Sequence, residues 1–310
     1  MSISKKDSPT LFHRVVEVLA PASGIIHSDL KRIKQFLLNQ GFDCNIPSTI
    51  LGPNFLFANS DKHRFENLKK ALQSNNRILW CVRGGYGSAR LLEALSKLKK
   101  PKQKKVIIGF SDITALHQFF ITQWGWPTLH ASMLDELSKK DANPREVKEL
   151  FQVVQGKRKE VIYNGLRPMN DRARKKGSIR GSVIGGNLTV LASLAGTPYL
   201  KPAKNKFVLL EELSERGYRV DRMLIQLKNA GYFDGAKAII IGDFLGGAER
   251  DGKFVWKRVL KEFAQEIKIP MFSGVPCGHG IYQRPMPFNT SAKIIMGKKN
   301  QLIVKNLTWE

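Results

Sequence analysis

The chain has 310 residues, 42% of them hydrophobic, enough apolar mass for one large or two medium α/β domains and too much for an intrinsically disordered polymer. Its formal net charge is +25 and its pI about 10.1. Yet the basic residues fall in short scattered groups, such as Lys97 to Lys105 and Arg172 to Lys176, with no zinc-finger spacing and no aromatic RNA-binding signature. Specific nucleic-acid binding is therefore not expected. Cys44, Cys81 and Cys277 lie far apart without C-x-x-C spacing, which argues against a disulfide framework and a structural zinc site; reduced thiols and no metal are expected.

At the N-terminus, Lys5 and Lys6 precede LFHRVVEVLAPASG, where His13, Arg14 and Glu17 interrupt the apolar run. A secretory h-region needs roughly 7–15 uncharged residues. Nor does any stretch approach the roughly 18 apolar residues of a membrane span, so a cytoplasmic protein is expected.

Val15 to Ala20 predicts the first strand. Ser28 and Asp29 can cap a helix with Leu30, Ile33, Leu37 and Leu38 on one face, and Gly41 can end it. Arg77–Val82 and Val106–Phe110 predict buried strands, each followed by a helical pattern, Ser88–Leu98 and Asp112–Gln123. Such βα units predict a parallel sheet with any site at the carboxyl ends of its strands, in the turns Arg83–Gly87 and Gly109–Ile113.

From 161 to 177 the sequence turns basic and polar, broken by Gly165, Pro168 and Asn170, which predicts a linker between a first domain, 1–160, and a second, 178–310. In the second domain, Gly185, Gly186 and Asn187 precede the helical run LTVLASLAG. Phe207–Leu210 and Ala238–Ile241 predict strands, Tyr218–Asn229 and Lys253–Gln265 helices, and Ala292–Val304 a hairpin.

Ser111 ends one of these strands and opens a helix, the sharp turn that a nucleophile elbow requires. The helix N-terminus beneath it offers backbone donors for an oxyanion, the amide of Asp112 among them. A serine there can equally act as a helix cap. The turn RGGYG, Arg83 to Gly87, lets the backbone approach a ligand closely, and Gly85 can supply a second donor. Gly85, Gly87 and Arg90 also make a broken dinucleotide fingerprint, with arginine in place of the third glycine; no dinucleotide is expected.

A serine nucleophile needs a base and a carboxylate that orients it. His279 lies in the glycine-flanked loop GVPCGHG, whereas His117 and His130 suit structural roles. Glu211 and Glu212 follow the apolar strand FVLL, where an unpartnered carboxylate is costly. Alternation lets only one of them face a site, and a surface pair with Arg219 or Arg222 is the other reading.

APASG at Ala20, RGGYG at Arg83, GFSDIT at Gly109, GGNLTVLASLAGTPY at Gly185, LLEELSERGYRVDRML at Leu209 and GVPCGHG at Gly274 follow one another in an order that resembles the LD-carboxypeptidase family of serine peptidases, which includes the microcin-immunity peptidases. The sequence departs from the family pattern in an added alanine in APASG and in the missing glycine of MPFNTSA. The resemblance implies a flavodoxin-like N-terminal domain with a parallel sheet, joined to a smaller β-rich α/β C-terminal domain. It also implies Ser111 as nucleophile, Glu211 as orienting acid, His279 as base and no cofactor.

The implied substrate is a murein tetrapeptide that loses its terminal D-alanine. Arg83 or Arg222 could pair with its carboxylate. The resemblance also suggests a homodimer. The rival readings are an immunity-type peptidase acting on aminoacyl-nucleotide-like compounds, a generic esterase, and a noncatalytic protein that holds anionic cell-wall or nucleic-acid polymer.

Overall fold

A computed structural model describes residues 15–308. Lys5, Lys6, His13 and Arg14, on which the reading of the N-terminus turned, lie outside the described residues. The first half runs β1 (Val15–Leu19), α1 (His27–Asn39), β2 (Asp43–Asn45), α2 (Asp61–Gln73), β3 (Ile78–Cys81), α3 (Leu92–Ser96), β4 (Val106–Gly109), α4 (Thr114–Trp124) and β5 (Thr128–His130). It closes with α5 (Leu134–Leu137) and α6 (Pro144–Val154). Every residue of β3 and β4 is buried, which is why ILWC and VIIG read as continuous apolar runs rather than alternating ones. The strands pair in parallel in the order β2-β1-β3-β4-β5, the flavodoxin-like arrangement.

In α1, Ile33 and Leu37 are buried as expected, but Leu38 is 46% exposed, since one residue further on the helix turns it out of the stripe. The helix begins at His27 with Ile26 as cap, so Ser28 and Asp29 lie inside its first turn. Asp29 there meets the positive end of the helix and pairs with Arg32.

The second half runs β6 (Glu160–Asn164), β7 (Arg167–Pro168), α7 (Asp171–Arg174), β8 (Gly177–Asn187), α8 (Leu188–Ser193), β9 (Lys206–Leu213), α9 (Gly217–Asn229), β10 (Ala238–Leu245) and α10 (Trp256–Glu266). It ends with β11 (Met271–Ser273), β12 (Met286–Phe288), β13 (Ser291–Met296) and β14 (Gln301–Lys305). Its sheet has the order β6-β14-β13-β8-β9-β10-β11-β7, parallel from β8 to β11 and antiparallel at both flanks.

Residues 161–177, expected to be a linker, instead supply both outer edges of this sheet: β6 pairs with β14 and β7 with β11. Val161 and Tyr163 are buried while Ile162 between them is exposed, an alternation that the turn residues Gly165 and Pro168 cut short. The halves also interlock, because β12 returns to pair antiparallel with β5 at the edge of the first sheet.

One apolar core is continuous across both sheets and contains Trp80, Ile108 and Leu129 together with Tyr163, Leu209 and Ile240. A second fills the other face of the first sheet, beneath α2, α3 and α4. At the joint, Thr114 Oγ1 on α4 accepts from the Asn187 amide (3.0 Å) and Gln118 Nε2 donates to Gly185 O (3.0 Å). Both glycines of G-G-N have positive φ. A Cβ at Gly185 would come within 2.0 Å of Leu209 O, and one at Gly186 within 2.4 Å of Thr114 Oγ1. The motif is thus the seat on which α4 docks, and it sets Ser111 relative to the second sheet.

Candidate active site

Phe110, in extended backbone at φ −154°, follows β4; Ser111 then turns to φ +59°, and a single helical turn, Ser111–Ile113, leads into α4. A non-glycine residue there costs on the order of 1–3 kcal/mol, so its surroundings must impose it. Asp112 does so: its carboxylate accepts from the Ser88 amide (2.8 Å) and the Ser88 hydroxyl donates to Asp112 O (2.5 Å), tying this turn to RGGYG. Ser111 does not cap the helix, whose cap residue is Phe110. Burial raises the Asp112 carboxyl above its ordinary range, opposed by the hydrogen bonds from Ser88.

It is Gly84 whose missing side chain faces the serine. A Cβ there would lie 3.1 Å from Ser111 Cβ and 3.3 Å from its Oγ, whereas a Cβ at Gly85 would run into Ser23 Oγ at 2.4 Å. The turn Ala20–Gly24 backs this arrangement, with the Ser23 amide donating to Gly84 O (3.1 Å) and Ser23 Oγ accepting from the Tyr86 amide (3.2 Å). Arg64, 2% exposed, donates to Gly87 O (2.9 Å) and to Pro21 O, holding both turns from below. Sequence reading missed Arg64; one arginine in the charged helix DKHRFENLKKALQ carries no sign that it points inward.

Glu211, fully buried, ends the apolar part of β9 opposite Asn187. Glu212 points the other way and accepts from the Thr189 amide and hydroxyl (both 2.8 Å). Neither pairs with the arginines of α9. Arg219 is 2.5 Å from Glu215, and Arg222 is exposed with its guanidinium 5.4 Å above the Tyr218 ring. Arg83, also exposed, lines a cavity of about 710 Å³ with Ser23, Phe55 and Asp135.

The His279 Nδ1 lies 2.9 Å from Glu211 Oε2, and its ring packs on Phe110 with centroids 4.8 Å apart, beside the residue that precedes Ser111. Asp243, which sequence reading also missed, shapes this loop. A register shift in β10 between Ile241 and Phe244 lets its Oδ2 accept from the Gly280 amide (3.2 Å), while its own amide donates to Cys277 O (2.8 Å). A Cβ at Gly278 would come within 3.0 Å of Glu211 Cβ, and one at Gly280 within 2.6 Å of Asp243 Oδ2, which accounts for the glycines on both sides of the histidine.

Burial pulls the His279 imidazole down, but the hydrogen bond and charge of Glu211, with the charges of Glu136 and Glu212, outweigh it and leave the pKa above the ordinary 6.5. Glu136 sits with Phe110 and His279 on a concave wall of about 260 Å³, open to water yet surrounded by protein, and that desolvation pushes its carboxyl up to about 7. His117 and His130 are buried, and burial lowers both, His117 to about 4; His117 Nε2 meets Gly109 O at 2.9 Å. They stay neutral behind the site.

Glu211 thus orients the His279 imidazole, which packs on Phe110, the residue before the strained Ser111; an oriented imidazole and a serine hydroxyl are the groups that nucleophilic acyl transfer requires. Among the described residues no group of His, Cys, Asp and Glu is arranged to hold a metal, and no helix is long and apolar enough to cross a membrane.

Residues 16–131 match the LD-carboxypeptidase N-terminal domain and residues 180–294 its C-terminal domain. A putative carboxypeptidase of Rickettsia conorii is 37% identical over 93% of this chain and 90% of its own. The murein tetrapeptide carboxypeptidase of Pseudomonas aeruginosa is 29% identical over 89% of this chain and 92% of its own. Among solved structures, muramoyltetrapeptide carboxypeptidase from Oxalobacter formigenes superposes with a TM-score of 0.82 at 25% identity, covering 94% of this chain and 99% of that one.

Proposed function

The chain belongs to the LD-carboxypeptidase family, and from that premise we propose that it is a serine peptidase which releases terminal D-alanine from murein tetrapeptides through an acyl-enzyme. The observation that carries this reading is the 2.9 Å contact of His279 Nδ1 with buried Glu211, made by a ring that packs on the neighbour of Ser111. With Nδ1 committed to the carboxylate, Nε2 is left to take the Ser111 proton as the hydroxyl oxygen attacks the carbonyl before the terminal residue.

The amides of Asp112 and Gly85 are the proposed donors to the oxyanion, and the helix N-terminus adds its dipole. Collapse expels D-alanine, whose nitrogen takes the proton back from His279. Water, activated by the same imidazole, then hydrolyses the ester and restores the serine. Arg83, at the mouth of the neighbouring cavity, is the proposed partner for a substrate carboxylate. Three free cysteines, two of them buried, suit a reducing compartment, and the proposed setting is the cytoplasm.

The test incubates the enzyme with defined muropeptides and follows mass. Loss of one alanine, with a serine-directed fluorophosphonate adduct that disappears in a folded Ser111→Ala variant, supports the reading. Full turnover by that variant refutes the nucleophile. Cleavage of acyl-sulfamoyl nucleotides with no alanine released from tetrapeptide would move the chain to the immunity-type activity.

A further inference from the structure

A cavity of about 690 Å³ opens at the carboxyl ends of β10 and β11 beneath α10, and none of Ser111, Glu211, His279, Gly85, Asp112 and Arg83 lines it. The carboxyl ends of parallel strands are where α/β sheets leave room for ligands, and the volume lies within the roughly 300–1,000 Å³ of small-molecule sites. Its floor is apolar, with Phe244, Leu260 and Val275 buried and Trp256 half-buried. Exposed Leu245 lines the cavity too, and exposed Phe254 lies beside Trp256, with ring centroids 6.1 Å apart.

Three cations, Arg167, Lys257 and Lys261, line it, and none forms an ion pair among the described residues. The acids nearby are already engaged. Glu262 pairs with Arg258 (2.7 Å), Glu266 with Lys228 (3.4 Å), and Glu249 accepts from the Gly217 amide (3.1 Å). Lys257 Nζ stands 5.2 Å and 5.6 Å from the ring centroids of Phe254 and Trp256. Arg167 runs along the backbone of Gly274, whose φ of +95° and missing Cβ leave room for the guanidinium. The one carboxylate in the wall, Asp243, turns its Oδ2 to the Gly280 amide. An apolar floor under three cations and a single carboxylate, an excess of positive charge, fits an anion that carries an apolar body.

We propose that this cavity is a second ligand site, which takes an organic anion with an aromatic or aliphatic body and holds its acid group among Arg167, Lys257 and Lys261. The full-length protein is titrated with anilinonaphthalene sulfonate, an aromatic anion whose emission rises in apolar surroundings. Expected are one saturable equivalent and displacement by octanoate but not by octanol or inorganic phosphate. Affinity should fall at least about tenfold in a Lys257→Glu/Lys261→Glu variant. Ser111→Ala should bind as wild type does. Absence of saturable binding, as when a second copy of the chain covers α10, overturns the proposal. So does equal affinity in the double-lysine variant, displacement by octanol as strong as by octanoate, or loss of binding in Ser111→Ala.

Discussion

Replacing Glu211 by glutamine tests the proposed relay on rate and stability together, because the two should part company. In the wild type the carboxylate holds His279 by Nδ1 at 2.9 Å. Glutamine can present its NH2 to Nδ1 instead, which favours the tautomer that carries hydrogen on Nε2 and cannot accept the serine proton. Loss of the orienting carboxylate from such a relay lowers kcat by about 10,000-fold, roughly 5.5 kcal/mol of barrier.

Stability should respond differently. Glu211 is fully buried, and its second oxygen, Oε1, has no partner among the described residues, a burden of about 1–3 kcal/mol that a neutral amide lightens. Against this stands the charge-assisted bond to protonated His279, about 1.5–3 kcal/mol. Folding raises the His279 pKa, so that contribution is fully present below the unfolded value of about 6.5 and is lost as pH rises through the folded one. The wild type should therefore exceed Glu211→Gln in Tm at about pH 5, and the gap should close or reverse by about pH 9. Calorimetry across that range, with muropeptide kinetics at each pH, checks both. A variant within tenfold of wild-type kcat, or a Tm gap that widens as pH rises, would refute the reasoning.

Gly84→Ala places a methyl 3.1 Å from Ser111 Cβ on a backbone that alanine tolerates, so the serine must yield by a few tenths of an ångström. We expect kcat about 10–100-fold lower with Tm nearly unchanged, measured by steady-state kinetics and melting. Glu136→Gln removes a charge that raises the His279 pKa, so the acidic limb of kcat/KM against pH should move to lower pH, by a small amount because a carboxyl held up at about 7 is partly neutral there; an unmoved limb would refute a charged Glu136 beside the base. Arg64→Met leaves the carbonyls of Pro21, Asn59 and Gly87 without their buried donor and should cost about 3 kcal/mol in urea unfolding, with activity falling in step as the turns behind Ser111 loosen.

The parts of this chain that were legible in its sequence are those where one local rule acts alone. β3 and β4 are buried on both faces, so their runs are apolar throughout, and the turns that follow carry glycine because close contacts demand it. Gly278 and Gly280 pack against Glu211 and Asp243, and a histidine between two such glycines stands out in any reading of the sequence. Misreading began where a segment's partner lies far along the chain. β6 shows a strand's alternation in EVIYN, but it pairs with β14 some 140 residues later, and next to Gly165 and Pro168 it looks like a spacer. β12 has three residues and crosses to the other sheet, a placement that no local pattern encodes.

Arg64 and Asp243 define the same limit within the site. Each is a charged residue in an unremarkable setting whose role comes from geometry: Arg64 lies under two turns that meet only in the fold, and Asp243 is aimed at Gly280 by a register shift in β10. Motifs thus mark the residues proposed to react, while the residues that hold those groups at angstrom tolerance emerge only from packing. The strain at Ser111 makes the distinction physical. A φ of +59° persists only because Asp112, Ser88, Ser23 and Arg64 lock its neighbours, so the rate should be as sensitive to this supporting set as to the serine's own surroundings.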